Sequence, residues 1–221
     1  MNLALFDFDG TISHDDTFTP FIKSALPLKR RCVWGLWLAP AILGYHLGWV
    51  SASTMRQKLV KAAFKGVSKA DVIALGHQYA VDYLPKQVRQ QAIERLHWHL
   101  SNGDKVIVVS ASLSVYLKPW CEAFSADFYR QYPECKYDKS SVLLDNNHIE
   151  LICPELADEH GRLTGLYKRR DCTGAEKAQR VKEQVKLSDF ARIYAYGDTQ
   201  EDNELLALAH EAHYQWKSQS Q

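Results

Sequence analysis

The stretch LALFDFDGTIS, residues 3–13, decides how the rest of the chain is read. A run of apolar residues stops at two aspartates, Asp7 and Asp9, with Gly10 and Thr11 directly behind them. A brief, continuous apolar run that ends in turn chemistry is the pattern of a strand buried on both faces. Two carboxylates at its tip repel each other unless a turn or a positive charge engages them. In open α/β sheets, ligands bind beyond the carboxyl ends of the strands, so the residues just past each buried strand carry the chemistry.

Two further stretches have the same character. KVIVVSAS (105–112) ends in Ser110, Ala111 and Ser112, and ARIYAYG (191–197) runs into GDTQED, with Asp198 and Asp202. Between them, CTGAEKA (172–178) places Lys177 near the start of a helix. From about 16 to 101 the pattern is helical, with apolar residues at three- and four-residue spacings in 17–26, 54–64, 68–84 and 87–100. Ser68 is suited to cap the third of these, because its hydroxyl can accept an orphan amide hydrogen bond. Hairpins are expected at 141–152, turning at Asp145–Asn147, and at 155–167, turning near Gly161. A helix over 200–212 and a frayed polar tail, KSQSQ, complete the expectation.

Buried strands leading into helices indicate an α/β fold: a Rossmann-like parallel sheet flanked by helices, interrupted by an all-helical insert. The expected division is 1–15 with 101–221 as the α/β core and 16–100 as the helical cap.

At 221 residues and 46% hydrophobic, the chain can bury a core of that size. With 27 basic and 26 acidic residues, its balance argues for a small-molecule or protein partner and against a nucleic-acid surface. Five scattered cysteines without a CxxC pair read as reduced thiols in a cytoplasmic protein. No basic leader precedes the first strand, so no signal peptide is expected. None of the nine histidines is assigned to metal: His97 and His99 point to different sides of a helix, and His210 and His213 lack further ligands.

One segment stands apart. From Cys32 to Met55 there is no charged residue, and Lys29, Arg30 and Arg31 precede it. About 20 apolar residues suffice to span a bilayer, and basic flanks mark the cytoplasmic side. Pro40 and Gly35, Gly44 and Gly48 divide the stretch and favour two shorter helices.

The residues at the strand tips resemble the haloacid dehalogenase superfamily of aspartyl-phosphate enzymes, within it the subfamily IB, phosphoserine-phosphatase-like group with a helical (C1) cap. DFDGT matches the first motif of that family, VVSAS the second, the lysine of GAEKA the third and GDTQED the fourth, all in family order. The resemblance implies a Mg²⁺-dependent phosphomonoester hydrolase. Asp7 would be the nucleophile that forms an aspartyl-phosphate, and Asp9 the general acid–base. Ser110 would donate to a phosphoryl oxygen, and Lys177 would supply a fixed positive charge. Gly10 and Thr11, with Ala111 and Ser112, would form the phosphate-binding loops. The metal would be held by Asp7, Asp9, Asp198 and Asp202, with Asp202 acting through water or by orienting Lys177.

The insert corresponds to the cap of that family, which closes over the core and selects the leaving group. Asp16 sits where phosphoserine phosphatases carry an acid for the substrate amine, although Asp15 or Asp16 would equally serve to cap the helix that starts near Thr17. Arg56 or Lys58 could meet a substrate carboxylate. The expected partner is therefore a small phosphorylated metabolite, phosphoserine-like in the first instance. The alternative is a phospholipid headgroup such as phosphatidylglycerophosphate, with peripheral membrane contact through residues 32–55. A single crossing there is excluded, since it would place Asp7 and Ser110 on opposite sides of the bilayer. Readings from other classes are a phospho-accepting signalling domain, whose acids cluster as an early DD pair with the lysine last, and a membrane-surface binding module.

Overall fold

In the structure, a computed structural model, residues 1–26, 38–45, 47–135 and 149–219 are described. The first strand, β1 (Leu3–Phe6), has no exposed side chain. Among the described residues five α-helices follow: α1 (Phe18–Ala25), α2 (38–45), α3 (Ala52–Phe64), α4 (Lys69–Asp82) and α5 (Gln90–Ser101). The chain then forms β2 (Lys105–Val109), α6 (Ser114–Gln131), β3 (Glu150–Ile152), β4 (Leu156–Glu159) and β5 (Arg162–Tyr167). It ends with α7 (Ala175–Gln184), β6 (Ile193–Gly197), the short α8 (Asn203–Leu206), β7 (Glu211–Tyr214) and β8 (Lys217–Gln219).

Six strands form the main sheet in the order β3-β2-β1-β6-β7-β8, parallel throughout except for the antiparallel β7–β8 pair. Strand side chains alternate between faces. Ala4 and Phe6 therefore join the core that continues into the inserted helices, while Leu3 and Leu5 pack with Val181 and Leu205 on the other side. The insert shares that first core: Phe21 of α1 meets Phe64 of α3, Tyr79 of α4 and Tyr116 of α6. Entry and exit of the insert are stitched together, since His14 N–H donates to Gln87 O and Arg89 N–H to Ile12 O. Beyond this crossing, α5 lies against β2.

The four helices expected at 17–26, 54–64, 68–84 and 87–100 are present as α1, α3, α4 and α5. The Ser68 hydroxyl caps α4 by accepting from Asp71 N–H at 3.4 Å. The hairpin near Gly161 is present as β4–β5, with His160 and Gly161 both at positive φ. Three expectations change. The turn at Asp145–Asn147 lies outside the described residues, and its far arm, β3, is a parallel neighbour of β2. The helix expected over 200–212 is confined to α8, because Glu211–Tyr214 pairs with β6 as β7. The tail is not frayed as far as Gln219: it turns back at Gln215–Trp216 and adds β8. Residues 32–37 and 46 of the Trp-rich stretch, Cys32 included, and the basic trio 29–31 before it, lie outside the described residues. Of the remainder, no described helix is long and apolar enough to cross a membrane. Cys121, Cys135, Cys153 and Cys172 are free thiols.

Candidate active site

The tips of β1, β2 and β6 converge with the first turn of α7. Asp7 extends the β1–β6 ladder, its N–H donating to Tyr196 O at 2.9 Å, so its side chain emerges where the sheet ends. Lys177 Nζ donates to Asp7 Oδ1 at 2.5 Å and to Asp202 Oδ1 at 2.6 Å, with all three side chains buried. Lys168 is paired with Glu155 at the surface and Lys182 is exposed, so Lys177 is the lysine of this segment that reaches Asp7. Burial depresses an ammonium, but the two adjacent carboxylates outweigh it and hold Lys177 charged. Burial, with Asp202 and Asp9 nearby, pushes Asp7 well above the usual carboxylate range against the pull of Lys177. Asp198 is raised as well, first by burial and then by Asp202.

Carboxylate oxygens of Asp7, Asp198 and Asp202 lie within 4.8 Å of one another, and this is the single such group among the described residues. Three hard oxygen donors around an under-neutralised pocket fit a divalent cation such as Mg²⁺. Within the trio, Asp202 is already engaged: its second oxygen accepts from Asp198 N–H and Thr199 N–H, both at 3.1 Å. It therefore holds Lys177 and the loop in place together. The carboxylate of Asp9 stands apart from the trio. Its Oδ1 accepts from Thr17 N–H at 2.7 Å and from the Thr17 hydroxyl at 2.6 Å. Its Oδ2 accepts from the Ser112 hydroxyl at 2.5 Å. The Asp9 carboxylate, bonded to Thr17 and Ser112, is not in the group of three whose oxygens lie close enough to share a metal, so the four expected ligands do not all converge through their carboxylates. Burial raises Asp9 too, against those hydrogen bonds.

The loop residues take more specific places than their motifs indicate. Gly10 has φ +81°, and a Cβ there would sit 2.1 Å from Asp198 Oδ2, so only glycine lets the acid loops approach. Thr11 is buried and donates to Asp198 Oδ1 at 3.3 Å, orienting that acid. Ser110 is fully buried, accepts from Ser112 N–H at 3.0 Å and reaches Asp9 only at 3.5 Å. Ala111 and Ser112 face the cavity of about 760 Å³ that opens above Asp7 and Asp9.

Asp16 and Arg56 also line this cavity, but both are occupied. Asp16 caps α1 by accepting from Phe18 N–H at 2.9 Å. Arg56 reaches from α3 to the core, pairing with Asp171 at 2.9 Å and Glu201 at 3.2 Å. Lys58 is exposed on α3, outside the cavity lining. The rest of the wall toward the insert is largely apolar: Phe18, Tyr45, Met55 and Leu59. Thr17 and Asp171 carry no motif and are found only through space, and Glu201 lies inside GDTQED without a role that the motif assigns. The C-terminal turn was likewise missed: Trp216 Nε1–H donates to Thr11 O at 3.2 Å and Gln215 to Asp198 O at 3.3 Å, bracing both acid loops.

The family description haloacid dehalogenase-like hydrolase fits residues 4–132 and 140–207. Protein CicA of Caulobacter vibrioides (strain NA1000 / CB15N) is 29% identical over 217 residues, which cover 96% of this chain and 85% of that protein. A crystal structure of a protein with unknown function from Bordetella pertussis Tohama I superposes with a TM-score of 0.71 at 21% identity, covering 96% of this chain and 89% of that one. A phosphoserine phosphatase in the form of a phospho-aspartyl intermediate analogue superposes with a TM-score of 0.58 at 16% identity, covering 96% and 85%. With the motifs in order and their side chains gathered at one end of the sheet, the chain belongs to the haloacid dehalogenase-like hydrolases, in the phosphoserine-phosphatase-like form of that fold.

Proposed function

We propose that this chain hydrolyses a phosphate monoester of a small metabolite through an aspartyl-phosphate on Asp7. The observation that carries the reading is the Asp7–Lys177–Asp202 chain at the floor of a cavity that Asp9 also faces. Lys177 occupies Oδ1 of Asp7, which leaves Oδ2 to attack phosphorus. As the bond to the leaving oxygen breaks, Asp9 gives that oxygen a proton. In the second half, water attacks the phosphorus of the acyl phosphate, Asp9 takes its proton back, and Asp7 is regenerated with release of inorganic phosphate. Burial favours the protonated form of Asp9 that the first half requires, and the hydroxyls of Thr17 and Ser112 fix its orientation. Asp7 and Asp198, with Asp202 behind them, would hold Mg²⁺, which when bound offsets the charge of the phosphoryl group. Lys177 contributes a cation from the protein itself. The phosphoserine phosphatase captured as a phospho-aspartyl analogue shares this fold and supports the covalent route.

For the leaving group, a phosphoserine-like metabolite suits the position of Asp16 on the cavity wall. A phosphate monoester on a lipid headgroup is the second reading, favoured by the apolar wall of Phe18, Tyr45, Met55 and Leu59. The test is turnover of an aryl phosphate followed by a panel of phosphoserine, sugar phosphates, nucleotides and a phosphatidyl phosphate. Multiple turnovers that stop on chelation and return with Mg²⁺ are expected. Asp7→Asn is expected to lose at least about a thousandfold in turnover while staying folded, because the covalent step has no substitute. Wild-type turnover in that variant would overturn the mechanism. A single stoichiometric phosphorylation without turnover would indicate a phospho-accepting signalling domain instead.

A further inference from the structure

We propose that the end of α2 and the turn after it, residues 42–45 and 47–49, dock on the surface of an anionic lipid bilayer and bring the mouth of the Asp7 cavity to the headgroups. Five of the eleven exposed large hydrophobic residues among those described fall within these seven positions: Ile42, Leu43, Tyr45, Leu47 and Trp49. Exposed apolar residues scattered singly need no explanation, whereas these five crowd one helix end and the turn that follows it. Leu43 is 61% exposed, Leu47 51% and Trp49 82%.

The patch is a built surface. Trp49 N–H donates to Gly44 O at 2.7 Å and Gly48 N–H to Tyr45 O at 3.0 Å, with Gly48 at φ +75°. This is the hydrogen-bond pattern of a Schellman helix cap, in which the residue after the glycine ordinarily packs back on the helix. At Trp49 that arrangement is not made, and the indole stands in solvent. Val50 locks the turn from beneath, close enough to Gly44 that a Cβ there would lie 2.9 Å from its side chain.

Charge selects the occupant. From Thr17 to Ala70 the chain carries nine lysines and arginines, of which Arg56 and Lys69 pair with acids elsewhere, and no aspartate or glutamate, against 18 basic and 26 acidic residues outside the segment. An apolar surface with exposed Trp and Tyr, set in a wholly cationic segment, complements an anionic interface, where aromatic rings sit at headgroup depth and basic side chains meet lipid phosphates. Tyr45 belongs both to the patch and to the cavity wall, which continues through Ala52, Met55 and Leu59. A phosphate monoester standing in the bilayer would thus meet an apolar path toward Asp7; this part rests on the phosphatase reading above.

The experiment is vesicle flotation of the full chain with phosphatidylcholine vesicles and with vesicles also containing phosphatidylglycerol. The wild type is expected to float with the anionic vesicles and to stay down with the neutral ones. The triple variant Leu43→Ser, Leu47→Ser, Trp49→Ser is expected to bind about tenfold or more weakly, with its aryl phosphate turnover and thermal midpoint unchanged. Failure of the wild type to float, as a protein-docking surface would give, overturns the proposal. So does equal recovery with neutral vesicles, or a triple variant that floats like the wild type. None of these outcomes touches the catalytic reading, which aryl phosphate turnover reports separately. Asp7→Asn is expected to float normally while hydrolysing nothing.

Discussion

Asp9 would exchange a proton twice per cycle, yet in the structure four donors surround its two oxygens. Thr17 supplies two of them, and its own carbonyl accepts from Tyr79 OH at 2.8 Å, so the aim of the acid depends on the inserted helices. Thr17→Val keeps the backbone donor and removes the hydroxyl; about a tenfold fall in turnover is expected. Thr17→Ser should restore most of it, and steady-state kinetics on an aryl phosphate compares the two. Gly10→Ala would force a Cβ against the Asp198 carboxylate at a positive φ, an expected loss of about 2 kcal/mol or more in urea unfolding. Asp7, Asp9, Asp198 and Lys177 were legible in the chain because each sits a short distance past a strand or in the first turn of a helix. Thr17 and the Ser112 hydroxyl were not, since their link to Asp9 arises only when the insert and β2 fold against β1.

The short C-terminal strands carry more than their polar sequence suggests. The apolar spacing of residues 205–212 fits a helix, but His210 N–H donates to Ile193 O and the chain joins the sheet instead. Sheet pairing overrides local periodicity here, as it does most readily in short segments. Trp216 then packs against Tyr196 and bonds the Thr11 carbonyl. Trp216→Ala is expected to cost about 2 kcal/mol and to lower turnover, read by thermal unfolding and by phosphate release. The α4–α6 contact has its own device. Pro119 removes the amide that would bond the Val115 carbonyl, and Gly76 passes over that carbonyl so closely that a Cβ would lie 2.1 Å from it. Neither residue announces the other in the sequence.

Two networks tie helices to distant parts of the molecule, one from α5 to the sheet and one from α3 to the loop before α7. His99 on α5 is buried between Asp104 at 2.8 Å and Tyr196 OH at 3.0 Å. Burial lowers its pKa from 6.5 to about 4, against the pull of Asp104. Between those values the unfolded chain binds the proton and the folded one does not, so stability falls as pH drops through that window, by up to roughly 3 kcal/mol. Urea unfolding at a series of pH values should show this slope, and His99→Gln should flatten it. At the cavity rim, Arg56 neutralises Asp171, which is buried. Arg56→Met would strand that carboxylate, with an expected loss of about 3 kcal/mol in the same assay. The fold class and the polar residues at the strand tips could be read along the chain, because buried runs and the loops that end them are local patterns. Which carboxylates converge, which acid is held by hydroxyls, and that Arg56 faces Asp171 instead of open solvent are settled through space. Residues over a hundred positions apart meet there, and no spacing along the chain records that meeting. LALFDFDGTIS thus names the two acids, and packing gives them different partners.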